Sequence, residues 1–133
     1  MMEVCILISV GILKRAIEEC EKSDYKFRVG AVVFKGDRII SSGHNGVRSS
    51  SIHNKYKNHI NSLHAEQAAV MGVNWKVLNG YSILVIKISK KNKFLSNAKP
   101  CNMCRKLLTT IGIRKIYYSD DKGQIVLYKD TEI

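Results

Sequence analysis

Between residues 3 and 21, apolar side chains recur at helical spacing. Ile6, Val10, Leu13, Ile17 and Cys20 share one face, and Lys14, Arg15, Glu18 and Glu19 take the others, so the pattern predicts a helix. Residues 29–34 form a short apolar run, Lys35-Gly36-Asp37 supplies turn chemistry, and residues 38–42 resume the run, which reads as a β-hairpin. Periodicity then lapses: residues 43–63 are rich in Ser, Asn, His and Lys and read as a loop with at most short helical turns. Residues 64–73 have the alanines and longer side chains of a second helix, with Ser62 as its expected N-cap. Residues 81–88 alternate and are apolar enough for a central strand. A third helix is expected over residues 101–110, ending near Gly112, and two short strands over 113–118 and 124–128. Helices alternating with strands imply an α/β fold: a three-layer α/β/α domain whose mixed sheet has about five strands.

A chain of 133 residues without repeats or low-complexity tracts reads as one domain, residues 1–133. Its 45% hydrophobic and 25% charged residues are ordinary for a globular protein. The first thirteen residues are apolar but carry Glu3, lack a basic leading segment and are too short to span a bilayer, so no membrane association is expected. Four cysteines without secretory context read as reduced thiols of a cytoplasmic protein, in host cytoplasm if the source is viral, with Cys5 and Cys20 as ordinary helix residues. The balance of 22 Lys plus Arg against 11 Asp plus Glu gives a net charge of +11. Such a field draws polyanions and small phosphorylated molecules alike, and also describes a plain solvated basic surface.

Two clusters carry the chemistry. His64-Ala65-Glu66 opens the second helix, and Pro100-Cys101-Asn102-Met103-Cys104 opens the third. One imidazole and two thiolates can hold a Zn2+ ion and leave a fourth position for water. Cys101 and Cys104, three apart, fall on one face of a first helical turn. Helix starts carry unpaired N–H groups and a positive dipole end, which favour thiolates and developing negative charge. Glu66 lies roughly 200° around the helix from His64, so it can face a substrate instead of the metal. His-x-Glu followed by Pro-Cys-x-x-Cys is the signature of zinc deaminases of nucleobases. In that reaction Glu66 is the expected proton carrier while water attacks C4 of a cytosine-type ring or C6 of an adenine-type ring.

Other uses of these residues are weaker. A redox Cys-x-x-Cys needs no His-x-Glu partner, and a structural zinc ordinarily takes four protein ligands. None of Cys5, Cys20, His44, His53 and His59 is paired with the thiols at finger-like spacing. A catalytically idle zinc-binding relative is a third reading, against which stands Glu66, unnecessary for holding metal.

From residue 27 to about 118, the chain resembles the cytidine and deoxycytidylate deaminase superfamily, which also contains tRNA adenosine and guanine deaminases. "SLHAEQAAV" and "KPCNMCRKLL" are most similar to compact phage- and large-virus-type deoxycytidylate deaminases. The resemblance implies a cytidine-deaminase-like fold with a five-stranded mixed sheet, one catalytic zinc per chain and a homo-oligomer. It assigns His64, Cys101 and Cys104 as zinc ligands and Glu66 as proton shuttle. Gly43-His44-Asn45-Gly46 resembles the family's turn after the second strand, where Asn45 would bind sugar or base; Asn-Gly is also ordinary turn chemistry. Ala65 would present backbone groups to the ring. Lys99 departs from the Ser or Glu that nucleoside and tRNA enzymes tend to have.

The expected substrate is a small cytosine-type nucleoside or nucleotide, dCMP-like favoured, converted to the uracil form with release of ammonia. Arg48, Lys55 and Lys57 are the expected phosphate clamps, arginine's fork suiting phosphate best. The alternative partner is RNA or single-stranded DNA, for which Tyr56, Phe94, Tyr117 and Tyr118 are the stacking candidates. His44, His53 and His59 are candidates for a second metal, although loop histidines more often face solvent.

Overall fold

The computed structural model describes residues 8–25, 27–46, 64–89 and 95–129. Helix α1, Val10–Glu21, begins at Ser9, whose hydroxyl oxygen accepts from the Ile12 N–H at 3.3 Å and so satisfies a free helix-start donor. The expected start at residue 3 is therefore corrected to residue 10, and Ile6 lies outside the described residues. The expected apolar face also rotates. Val10 is 81% exposed, while Ile12, Ala16 and Cys20 are buried. Small residues explain the turn: a side chain on Gly30 would strike the Ala16 carbonyl, so the helix settles where Ala16 and Gly30 let two backbones close. Hydrophobicity set the helix, and close packing chose which stripe it buries.

Strands β1, Phe27–Lys35, and β2, Arg38–His44, form the hairpin around Gly36. After it come helix α2, Ala65–Met71, a single turn α3, Trp75–Leu78, and strand β3, Ser82–Ser89. A two-residue strand β4, Leu95–Ser96, precedes helix α4, Asn102–Ile111; strands β5, Lys115–Ser119, and β6, Ile125–Leu127, complete the order. Neither α3 nor β4 is expected from the sequence, because elements of one turn or two residues leave no periodicity to read. The sheet runs β2-β1-β3-β5-β6, with β4 added on β3 where β5 has ended. It is mixed: β3 and β5 are parallel, and the other pairs are antiparallel. The expected five strands are all present and β4 is a sixth.

Alternation along the strands divides the core in two. Val32, Phe34, Leu84, Ile86 and Tyr117 face α1, whereas Ala31, Val33, Ile83, Val85 and Tyr118 face α2 and α4. Each buried Ile, Leu or Val contributes about 1.5–3 kcal/mol relative to an exposed one, and sheet faces sealed by helices on both sides give the expected three layers. Tyr117 and Tyr118 are thus core residues, 6% and 8% exposed, which removes both as stacking platforms for nucleic acid. Tyr56 and Phe94 lie outside the described residues. No described helix is long and apolar enough to cross a membrane.

One polar group sits deep under α1. Glu19 is 4% exposed and accepts from Ser42 Oγ at 2.6 Å, His44 Nδ1 at 3.0 Å and Lys22 Nζ at 3.3 Å. Burial alone would raise its pKa, but these hydrogen bonds outweigh burial and hold the carboxyl below its ordinary 4.5. A depressed carboxyl stabilises the fold above the ordinary value and loses that contribution as pH falls through the lower, folded one. Glu19→Gln should therefore cost about 1–3 kcal/mol at neutral pH, and the gap from wild type should close in acid. Urea melts at several pH values measure this; identical stabilities at neutral pH would refute it.

Candidate active site

The carboxyl ends of β2, β3 and β5 share one edge of the sheet, because all three run against or beside β1 in the same sense. Open α/β sheets bind ligands at that edge. Here α2 and α4 both begin there. His64 is itself the N-cap of α2, in place of the expected Ser62, which is outside the described residues. The Gln67 side chain reaches back to accept from the His64 N–H at 2.9 Å, so the residue one turn later holds the cap. Cys101 is the N-cap of α4, and Cys104 lies buried in its first turn. At the other end α4 stops at Gly112, whose φ of 98° suits glycine and whose N–H donates to the Leu108 and Thr109 carbonyls.

The three expected ligands meet. His64 Nδ1 is 3.3 Å from Cys104 Sγ and 3.7 Å from Cys101 Sγ, and all three atoms fall within 4.8 Å of one another. Tetrahedral zinc with ordinary bond lengths sets nitrogen and sulfur about 3.6 Å apart, so the spacing fits the ion. Among the described residues this is the one His, Cys, Asp and Glu group so arranged. Burial lowers the pKa of His64, keeping the imidazole neutral as a metal ligand must be. Burial foremost, then the Glu66 and Cys101 charges, push the Cys104 thiol upward, a cost that a cation between the two sulfurs would relieve.

Glu66 is 5% exposed, and burial lifts its carboxyl to about 7, partly offset by a hydrogen bond from its own backbone. A carboxyl poised there can both take and return a proton at neutral pH. It borders a cavity of about 260 Å³ with His64, Ala65, Asn45, Lys87 and Lys99. Asn45 reaches the cavity while its amide is engaged: Oδ1 accepts from the Val29 N–H at 2.9 Å and Nδ2 donates to the Phe27 carbonyl at 3.0 Å. The side chain continues the ladder onto β1 where β2 has ended. Gly43, just before it, has no room for a side chain, since a Cβ would come within 2.5 Å of the Ala69 nitrogen. β2 and α2 therefore close directly, fixing the turn against the helix that carries Glu66.

Some expectations do not join this site. His44 points to the α1 side of the sheet, where it is bonded to Glu19 and faces away from the cavity. Arg48, His53, Lys55, Lys57 and His59 lie outside the described residues. Conversely, three contributors were not read from the sequence. Lys87 and Lys99 line the cavity. Ser119, fully buried, accepts from the Lys87 N–H at 3.3 Å, donates to the Ser96 carbonyl at 2.6 Å and, through its own carbonyl, accepts from the Ala98 N–H at 2.8 Å. It ties the ends of β3 and β5 to the segment that delivers Cys101. A lysine following Ile83 and Val85 on one face of a central strand was the available signal for Lys87.

Comparisons agree with this geometry. A family model described as the cytidine and deoxycytidylate deaminase zinc-binding region matches residues 10–120. Among solved structures, cytidine deaminase from Burkholderia pseudomallei is similar with a TM-score of 0.65 at 17% identity, over 94% of this chain and 95% of that one. Cytidine deaminase from Mycobacterium leprae gives 0.56 at 21% identity, covering 87% and 89%. The dCMP deaminase of cyanophage S-TIM5, in complex with dCMP and dUMP, gives 0.54 at 22% identity, covering 86% and 85%. No curated protein sequence matches the chain.

Proposed function

Since the chain belongs to the cytidine and deoxycytidylate deaminase family, we propose that it is a zinc-dependent hydrolytic deaminase of a cytosine-type nucleoside or nucleotide, dCMP favoured. The observation that carries this reading is the buried Glu66 carboxyl on a cavity shared with His64 and Cys101, with the Cys104 thiol close enough to feel its charge. His64, Cys101 and Cys104 hold the ion. Zinc supplies activation of water toward attack at neutral pH.

The chain's own residues do the rest. Glu66 takes a proton from the attacking water and delivers it to ring N3 as oxygen adds to C4. It then passes a proton to the amino group, which leaves as ammonia, and C4 becomes the uracil carbonyl. One proton carrier serves both halves because it lies within the first turn of α2, beside the reacting carbon. Ala65, 1% exposed, offers backbone groups to the ring edge, and Asn45 stands at the sugar side, held in place by β1. Arg48 remains a proposed phosphate contact and a homo-oligomer the proposed assembly, the latter to be read by light scattering.

The test is ammonia release by zinc-loaded protein offered dCMP, CMP, deoxycytidine, cytidine, adenosine and a cytosine-containing oligonucleotide. Conversion of a monomeric cytosine compound to its uracil form is expected. Turnover confined to the oligonucleotide, or to adenosine, would overturn the proposal.

A further inference from the structure

We propose that Lys87 and Lys99 form the anion-recognising wall of this pocket, and that the substrate they select carries a terminal phosphate: a nucleoside monophosphate. This rests on the deaminase reading above and names what that reading leaves open, the group attached to the ring.

The first observation is placement. On the zinc-side face of β3 the row runs Ile83, Val85, Lys87, and Lys87 pairs across to Val29 of β1. A lysine in a row otherwise buried is costly unless its ammonium has a task at the end of its stem. Here the row ends at the cavity mouth, and Lys87 lines it. Among the described residues, Lys87 and Lys99 are the cations lining the cavity and Glu66 its single acid.

The second observation is how the two ammoniums are kept. Lys87 Nζ lies 4.8 Å from the centre of the Phe27 ring, and Lys99 Nζ 5.2 Å from that of Tyr128. An aromatic face holds an exposed ammonium by only ~0.5–1 kcal/mol. It orients the cation without neutralising it, leaving the charge for a stronger anion. Among the described residues, no carboxylate forms an ion pair with Lys87.

The third is scaffolding. The Lys87 backbone is held by Ser119 and by its pairing with Ser96. Lys99 follows three residues later, where the Asn97 side chain accepts from its N–H at 2.9 Å. Ser119 grips both strands of this arrangement, so the lysines are carried on one braced corner. Two ammoniums match the roughly −1.5 to −2 charge of a phosphate monoester at neutral pH; a neutral nucleoside would leave them unanswered.

A phosphate on a nucleic-acid strand presents the same chemistry, and the experiment separates the sources. Zinc-loaded wild type, Lys87→Gln, Lys99→Gln and Lys87→Arg are compared for kcat/KM on dCMP and deoxycytidine. In wild type dCMP should be favoured at least about tenfold, as charge-assisted contacts imply. Either glutamine variant should collapse that ratio, and Lys87→Arg should keep it. Calorimetric binding of dUMP against deoxyuridine should show the same loss. A wild-type ratio near one, or a glutamine variant that weakens both substrates equally, overturns the inference while leaving the deaminase proposal intact. An oligonucleotide processed more efficiently than dCMP assigns the lysines to a strand and overturns it too. If no cytosine compound turns over, the deaminase reading fails, and equal binding of dUMP and deoxyuridine then sinks this inference independently.

Discussion

Glu66→Gln should lower kcat for deamination by about 10²- to 10⁴-fold, the usual range for a positioned proton carrier, while zinc content stays at the wild-type level. Glutamine has nearly the shape of glutamate and keeps its hydrogen-bonding capacity, but it cannot accept and return a proton. The carboxyl is 5% exposed and belongs to the first turn of α2, so substitution leaves the surrounding packing in place. Glu66 is also absent from the ligand trio of His64, Cys101 and Cys104. The unfolding midpoint should stay at or above that of wild type, because an amide is easier to bury than a carboxylate. Steady-state rates, metal analysis and thermal melts on the same preparation give the three readouts. A kcat within about threefold of wild type, with zinc bound, would remove Glu66 from the chemistry.

Cys104→Ser should empty the metal site. Cys104 is completely buried, and its sulfur is the ligand atom nearest His64 Nδ1, at 3.3 Å. A serine hydroxyl does not ionise at neutral pH and is a poor zinc donor, so two protein ligands would remain where a catalytic site uses three. Zinc per chain should fall by about tenfold or more on dialysis, and deamination with it. Cys20→Ala supplies the contrast. Cys20 packs on the α1 side of the sheet, its thiol contacting the Ile86 carbonyl at 3.7 Å, and burial lifts it to about 12, so it stays a neutral thiol. That variant should keep its zinc. Retention of zinc by Cys104→Ser would exclude the ligand set drawn here.

The ligand trio was legible because metal chemistry is demanding. Few residue types bind zinc, and their spacing along two helix starts carries the geometry in one dimension. Alternation marked the five principal strands and both core faces for a similar reason, since burial on each side of a sheet imposes a period of two. What stayed illegible was short or long-range. β4 and α3 are too brief to show a period. The buried stripe of α1 depends on Gly30, and the cap of α2 on Gln67 reaching backward rather than on Ser62. Asn45 read as a ligand contact or a turn residue; the structure gives its amide to β1 and still leaves it at the cavity.

By itself, the sequence determined the reaction: a histidine, two cysteines and a glutamate whose identities admit little besides water activation beside an amino-bearing ring. It also determined the layered architecture, because hydrophobic period is a local property of the chain. Only the tertiary structure decided what surrounds that reaction. Lys87, Lys99 and Ser119 are from 12 to 32 residues apart and carry no motif, yet the ends of β3 and β5 place them on one corner of the pocket. Likewise His44, adjacent to Asn45 in sequence, was sent to the opposite face of the sheet. Ligand spacing can be written into a few consecutive residues, whereas a pocket wall exists only where strands distant in the chain are brought side by side.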